Sequence, residues 1–176
     1  MMEPVVQREP KLRKFEKPWA LTGCEGRAPN VVKSLYMGEG ELERHNFALK
    51  KKYDRMRARE AMFEEYMAKD ARLVVAAYGT AARIARSAVK ALREEGHKVG
   101  LIRPITLFPF PDAPFCEAAA RRGTKGFLTI EMNLGQMVED VRLAVDGRKP
   151  VEFYGRPGGG VPTPNELIKV MRKHLA

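Results

Sequence analysis

The sequence predicts a three-layer α/β/α sandwich with a mostly parallel sheet. Predominantly apolar runs at 73–78, 99–102, 127–131 and 151–154 are typical of strands that are buried on both faces. Amphipathic segments of helical period separate these runs, and Gly, Asp or Pro residues mark the junctions. Because strands that alternate with helices usually join by right-handed crossovers, the sheet is expected to carry helices on both faces.

The region before the sheet is predicted to form a linker and one long helix. Residues 1–40 hold more turn-forming than periodic apolar positions, so we expect extended chain there, with at most a short strand at 19–22. Trp19 would pack either on the chain's own core or on another domain. Residues 41–69 are expected to form one amphipathic helix, and the α/β domain would then occupy 70–176. The apolar face of this helix comprises Leu49, Tyr53, Met56, Phe63 and Met67.

The helices of the α/β domain are predicted from their period and their ends. They are expected at 81–95, 112–122 and 136–145, with Gly96 just beyond the first and Asp112 as the N-cap of the second. These lengths suit helices that cross over between neighbouring parallel strands.

The last helix is predicted to begin with a capping box. The Thr163 side chain would accept a hydrogen bond from the Glu166 amide, while Glu166 reaches back to the start of the helix. Pro164 preorganises the first turn. The buried face of this helix is expected to comprise Leu167, Ile168, Met171 and Leu175.

Composition narrows the class of protein. The net charge is +10 and 44% of the residues are apolar, without a run of 18 apolar residues that would span a bilayer. The positive excess is spread along the chain, which favours an anionic partner or partner surface over a nucleic acid. The charged, Pro-bearing N-terminus does not resemble a signal peptide, so we expect a cytoplasmic protein that binds neither nucleic acid nor membrane.

The residue types that catalyse reactions or bind metals do not cluster in the sequence. Cys24 and Cys116 are far apart and lack CxxC spacing, which argues against an iron–sulfur or zinc site. His45, His97 and His174 form neither an HxxxH motif nor a His–Cys pair. We therefore predict no catalytic residue and no metal ligand.

Right-handed crossovers would place several polar segments along the carboxyl edge of the sheet, where α/β folds build their sites. The turn at Gly79 and Thr80 precedes a helix and offers backbone amides to an anion, although a purely structural turn is favoured because GxGxxG and GxxxxGK[ST] are absent. The glycine-rich loop with Gly158 and Gly159 is a second candidate for anion binding, or a simple surface loop. Glu131, Asn133 and Gln136 would bond either to neighbouring backbone or to a partner.

Several segments resemble the C-terminal domain of alpha subunits in the 2-oxoacid:ferredoxin oxidoreductase family. The resemblance is carried, in the family's order, by VAAYGT with ARIARSAV, by GLIRPITLFPFP and by EMNLGQMVEDVRLAV. Upstream, KPWALTG and HNFALKKKYDRM resemble the family's linker to the pyrimidine-binding domain. The GCEGRAPNVVKSLYMGEGELERHNFALKKKYDRM stretch is most similar to the branched-chain (2-oxoisovalerate) type, with the 2-oxoglutarate and pyruvate types behind it.

The resemblance implies a fold like that of the transketolase C-terminal domain, with a five-stranded mixed sheet that has one antiparallel strand. The sequence shows four strong strands after residue 70, so the fifth is expected in the N-terminal segment, with 19–22 as the candidate, or it is not visible in the sequence pattern. The implied enzyme oxidatively decarboxylates a 2-oxoacid to acyl-CoA and reduces ferredoxin, using thiamine diphosphate, magnesium and iron–sulfur clusters. The GDG motif and the CxxCxxCxxxCP runs that hold these cofactors in the family are absent, so we expect no cofactor here and a truncated or separately encoded piece of the subunit.

The resemblance also implies partners. We expect the domain to contact the beta subunit, which binds thiamine diphosphate, and the ferredoxin-like subunit, while ferredoxin and coenzyme A serve the whole complex. Arg103, Glu131, Asn133 and Gln136 are the candidates for polar contacts between subunits. Two alternatives remain open at this point: a free-standing module that binds a small ligand or nucleotide, and a protein that binds anionic polymers.

Overall fold

The computed structural model describes residues 14–175. Within that part, the chain divides into two compact units, residues 14–52 and residues 53–175. Helix α1, Glu41–Glu60, begins in the first unit and ends in the second. The second unit contains the whole sheet and both apolar cores.

The segment before α1 is extended chain with turns, and the strand expected at 19–22 is not formed. The carbonyl groups there serve other partners: the Asn30 side-chain amide donates to the Pro18 oxygen at 2.7 Å and to the Ala20 oxygen at 3.0 Å. The Ala20 N–H closes a turn onto the Lys17 oxygen. These local bonds replace the ladder that a strand would need.

The helix expected over 41–69 is shorter than predicted, because its last part forms a strand. Strand β1, Phe63–Tyr66, pairs antiparallel with strand β3, Val99–Pro104, and supplies the fifth strand of the sheet. Gly100 of β3 makes this possible, since a Cβ atom there would overlap the Met67 backbone. Tertiary pairing with β3 therefore overrides the helical period of the apolar residues.

The remaining elements lie within a few residues of their predicted positions. Strands β2 to β5 alternate with helices α2 to α5. The predicted N-cap of α3 is wrong by one residue, because Pro111 occupies the N-cap and Asp112 is the first helical residue. The elements are β2 Leu73–Ala77, α2 Gly79–Glu94, α3 Asp112–Ala120, β4 Gly126–Glu131, α4 Met137–Val145, β5 Val151–Gly155 and α5 Pro164–Lys173.

Within residues 14–175, five strands form one sheet in the order β1-β3-β2-β4-β5, in which β1 alone is antiparallel. One core lies between the sheet and helices α2 and α5, and the other between the sheet and helices α3 and α4. This arrangement confirms the three-layer sandwich and the mixed five-stranded sheet.

The order of the strands creates a switch point at the carboxyl edge of the sheet. From β2, the chain continues to β3 on one side, and β4 lies on the other side. The crossovers therefore diverge between β2 and β4, which is where parallel sheets open a crevice for ligands.

The capping box of α5 is confirmed, since the Glu166 N–H donates to Thr163 Oγ1 at 3.3 Å and the Thr163 N–H donates to Glu166 Oε2 at 2.7 Å. Among the helices that the structure describes, none combines the length and the apolar character that crossing a bilayer requires.

Candidate functional site

Glu131, the last residue of β4, is fully buried at the carboxyl edge. Its carboxylate accepts hydrogen bonds from the backbone N–H groups of Met137 at 2.9 Å and Val138 at 3.0 Å, with longer bonds from Gln136. The Asn133 side-chain amide donates to it at 3.1 Å. A buried carboxylate needs such donors, and the positive end of the α4 dipole stabilises its charge. Glu131 therefore connects β4 to the first turn of α4.

The structure brings Glu131, Asn133 and Gln136 together, as the spacing of these residues predicts. Asn133 Oδ1 also accepts from the Gly135 N–H at 2.7 Å, which fixes the loop between β4 and α4. The Gln136 side chain is exposed and that of Asn133 is half-buried, whereas Glu131 is enclosed by its own chain. In this structure, Glu131 is thus inaccessible to direct contact with another subunit.

Arg103 lies apart from these three residues, because β2 separates its strand from β4. Its guanidinium donates to Glu64 of β1 at 3.0 Å, and Arg86 of α2 donates to the same carboxylate at 2.8 Å. Arg86 also lies over the Tyr66 ring at 4.3 Å. The sequence did not indicate Glu64 as the partner of Arg103, because the apolar period predicts a helix at residue 64. These pairs link the edge strand to α2.

A small cavity of about 130 Å³ occupies the switch point between β2 and β4. Gly79 and Thr80 border it on one side, and Met132 and Asn133 border it on the other. Within the described chain, the first turn of α2 has neither a side-chain cap nor an acidic residue. The cavity is smaller than the roughly 300 Å³ or more of typical small-molecule sites. It is therefore too small for a nucleotide, and anion binding by Gly79 and Thr80 stays a prediction.

The glycine-rich loop after β5 is a separate feature. Gly158 and Gly159 have φ values of 67° and 79° and are exposed. The nearby Arg156 side chain is bound to Glu166 at 2.6 Å. The positive charge of Arg156 beside the loop is therefore already paired, and anion binding by Gly158 and Gly159 also stays a prediction.

Asp140 introduces unfavourable charge close to the Glu131 junction. Burial raises the pKa of the Asp140 carboxyl, and the negative charges of Asp112, Glu131 and Glu139 raise it further. In contrast, the hydrogen bonds from Thr163, and to a lesser degree the Arg156 charge, lower the pKa of Glu166. The pKa values of the two carboxyl groups thus shift in opposite directions, because burial and neighbouring acids disfavour ionisation of Asp140 whereas hydrogen bonds favour ionisation of Glu166.

The described residues do not fit a metal or iron–sulfur site. Between residues 14 and 175, groups of three or more His, Cys, Asp or Glu side chains that would hold a metal ion are absent. Cys24 and Cys116 are free thiols, and His45 stacks on Tyr36 with ring centroids 4.5 Å apart.

The fold and this edge define a class: a three-layer α/β domain in which most polar residues at the carboxyl edge hold its own elements together. Comparison with known proteins then identifies the family. Residues 71–167 match the model for the pyruvate:ferredoxin oxidoreductase core domain II, and the chain belongs to this family.

Among curated relatives, the ketoisovalerate oxidoreductase subunit VorB of Methanothermobacter thermautotrophicus is 43% identical over 155 residues. That alignment covers 88% of this chain and 43% of the relative, so the chain spans less than half of the relative's length. The homology confirms the resemblance to alpha subunits of 2-oxoacid:ferredoxin oxidoreductases, and the homologue is a subunit of an oxidoreductase.

Two solved structures share the fold. The 2-oxoglutarate:ferredoxin oxidoreductase from Magnetococcus marinus, solved with 2-oxoglutarate, coenzyme A and succinyl-CoA bound, matches with a TM-score of 0.66 and 21% identity, covering 76% of this chain and 24% of that chain. A split-gene transketolase, described as an inactive beta4 tetramer, matches with a TM-score of 0.53 and 20% identity, covering 65% of this chain and 41% of that chain. At these identities the matches show the fold alone, and they confirm the transketolase-like architecture.

Proposed function

We propose that this chain is part of the alpha subunit of a thiamine-diphosphate-dependent 2-oxoacid:ferredoxin oxidoreductase. The enzyme would oxidatively decarboxylate a 2-oxoacid to acyl-CoA and reduce ferredoxin. The observation that carries the proposal is the 43% identity to a ketoisovalerate oxidoreductase subunit over 88% of the chain. The same observation favours 2-oxoisovalerate as the substrate, ahead of 2-oxoglutarate and pyruvate.

Within that enzyme, the proposed role of the domain is structural. The Glu131 carboxylate bonds to α4 and Arg103 bonds to Glu64, which supports a role in holding the sheet edge rather than in catalysis. Gln136, Asn133 and Arg103 would supply polar contacts to the beta and ferredoxin-like subunits. Thiamine diphosphate, magnesium and the iron–sulfur clusters would be bound by other parts of the complex, and a cytoplasmic location belongs to the same proposal.

The activity is tested on the complex that contains this chain together with the beta and ferredoxin-like subunits. We expect coenzyme A-dependent reduction of ferredoxin with 2-oxoisovalerate, and lower kcat/KM values with 2-oxoglutarate and pyruvate. An assembled complex that reduces ferredoxin with none of the three acids would contradict the proposed reaction. A higher kcat/KM with 2-oxoglutarate or pyruvate would overturn the substrate assignment alone.

The structural role is tested on the chain by itself. Isothermal titration calorimetry with thiamine diphosphate and Mg²⁺ is expected to give no measurable heat of binding. Tight binding of the cofactor by the isolated chain would show that the domain does more than support its neighbours.

The interface residues are tested by substitution in the complex. Gln136→Ala and Arg103→Ala should weaken binding of the beta subunit, whereas the exposed Asn165→Ala on α5 serves as the matched control. Surface plasmon resonance measures the three dissociation constants. If the two variants and the control gave equal dissociation constants, Gln136 and Arg103 would not belong to the interface, whereas the proposed reaction would still stand.

A further inference from the structure

A groove that the oxidoreductase assignment leaves unused opens on the face of the sheet covered by α3 and α4. Its volume is about 530 Å³, compared with about 130 Å³ for the cavity at the switch point. We call it the α3–α4 groove. The wall residues that matter for its chemistry are Leu107, Phe108, Phe110, Asp112, Asp140 and Leu143.

The apolar walls of the groove are open to solvent. Leu143 is 77% exposed, Phe108 is 59% exposed and Leu107 is 46% exposed. Two of the rings are fixed in place, since Tyr53 packs edge-on against Phe108 at 5.8 Å and Phe110 stacks on the buried Phe115 at 5.4 Å. A contiguous patch of ordered, exposed apolar side chains is typical of a protein interaction site.

The charges in the groove indicate what kind of segment would fit. The Asp112 and Asp140 carboxylates have no hydrogen-bond or ion-pair partner among residues 14–175. The third acid of the groove, Asp146, is paired, since its Oδ2 atom lies 3.7 Å from Nη2 of Arg148. With Arg57 included, the walls carry three carboxylates against two guanidinium groups, on a chain whose net charge is +10. The groove thus attracts cations and disfavours phosphates, which makes nucleic acids and anionic lipids poor occupants.

We propose that the α3–α4 groove receives a segment of the neighbouring beta subunit in which a lysine or arginine is flanked by apolar side chains. The basic group would pair with Asp140 and Asp112, and the apolar neighbours would cover Leu143, Leu107 and Phe108. The inference rests on the proposed function for the identity of the partner. It goes beyond it by assigning a surface other than Arg103, Asn133 and Gln136 and by defining the chemistry of the segment.

The test measures binding of the beta subunit to the full chain by biolayer interferometry. Asp140→Lys and Leu143→Ser should each weaken binding by about tenfold or more, because they remove a desolvated charge partner and an apolar contact near the middle of the interface. The matched controls are Glu117→Lys on the exposed surface of α3 and Val161→Ser in the loop before α5, and both should bind like the wild type. Circular dichroism verifies that each variant is folded.

A measurement on the wild-type chain makes the test independent of how the variants fold. Hydrogen–deuterium exchange should show that binding of the beta subunit protects the amides of 105–110 and 137–145. If the wild type binds but the groove variants bind equally well, or protection falls elsewhere, the groove proposal is overturned and the proposed function stands. If the wild type does not bind the beta subunit, both are overturned. Self-association that the groove variants abolish would assign the groove to a second copy of this chain instead.

Discussion

The first turns of α4 and α2 lie at the same edge of the sheet, yet the structure treats them in opposite ways. The amides at the start of α4 bind the Glu131 carboxylate, which comes from the preceding strand and is fully buried. The first turn of α2 has no side-chain cap within the described chain, and Gly79 and Thr80 there are exposed. One helix start is therefore closed by the protein itself, while the other remains open beside a small cavity.

The difference shows that position at the carboxyl edge does not by itself make a site. Both helices follow a buried parallel strand, and both begin with amides that have no acceptor within the helix and lie at the positive end of the helix dipole. What differs is the acid at the end of the strand: β4 ends at Glu131, whereas β2 ends at Ala77 and is followed by Tyr78. Substitutions that remove the acid from one helix start, or add an acid to the other, test whether this residue accounts for the difference.

Removing the Glu131 carboxylate should leave the amides at the start of α4 without an acceptor and destabilise the domain. Glu131→Ala is expected to lower the free energy of unfolding by about 3 kcal/mol, because it leaves several buried amides without an acceptor. Glu131→Gln should have a smaller effect, since its amide oxygen still accepts hydrogen bonds. Urea unfolding measures both, with the exposed Glu152→Ala as control. Losses no larger than that of Glu152→Ala would show that the buried carboxylate does not stabilise the junction.

Helix α5 is capped by its own side chains, and removing this cap should change stability by an intermediate amount. Thr163→Ala is expected to reduce stability by about 1 kcal/mol, and Thr163→Ser should restore most of it. Because the pKa of Glu166 is lowered in the folded state, its contribution is present above the ordinary value of 4.5 and is lost as the pH falls below it. Thermal unfolding at pH 7 and pH 3 should therefore show a larger effect of Thr163→Ala at pH 7. A constant difference would contradict the coupling.

Adding an acid to the open helix start should stabilise it. Thr80→Glu places a negative charge in the first turn of α2 and is expected to raise stability by about 0.5 kcal/mol at low ionic strength. Thr80→Gln is the neutral control, and added salt should reduce the difference between the two variants. Destabilisation by Thr80→Glu relative to Thr80→Gln would mean that the amides of α2 are not accessible to an anion.

The smallest effect is expected at Asp140, where a carboxylate in α4 lies near other acids. Its raised pKa means that the folded state binds the proton more tightly than the unfolded state, so ionisation opposes folding as the pH rises above 3.8. Asp140→Asn should thus be more stable than the wild type at pH 7 by about 0.5 kcal/mol or less, and should lose this advantage at pH 3. A variant that is less stable at pH 7 would indicate that the charge is favourable to the fold.

Local sequence signals were sufficient to locate a strand or helix whose position depends on its own residues. The apolar runs located β2, β3, β4 and β5, and the capping box located the start of α5. They failed at residues 61–69, because Phe63 and Met67 fit a helical face and the edge strand depends on a distant partner. They also did not reveal that Arg103 pairs with Glu64, which lies 39 residues earlier in the chain.

For the candidate site, the sequence grouped Glu131, Asn133 and Gln136 correctly but left their partners open. Only the packing of α4 against β4 decided that the Glu131 carboxylate faces inward to the helix amides, since the direction of a side chain depends on the strand's register. The Asp112 and Asp140 carboxylates belong to different helices, so their meeting in the α3–α4 groove also depended on packing.

The sequence by itself determined the fold class, the order of most elements and the family, because apolar period, turn residues and short motifs are local properties of the chain. The tertiary structure decided where the fifth strand lies, that the Glu131 carboxylate accepts from the first amides of α4, and that a groove forms beside α3 and α4. Each of these depends on contacts between residues distant in sequence, whose energy exists only once the sheet has formed.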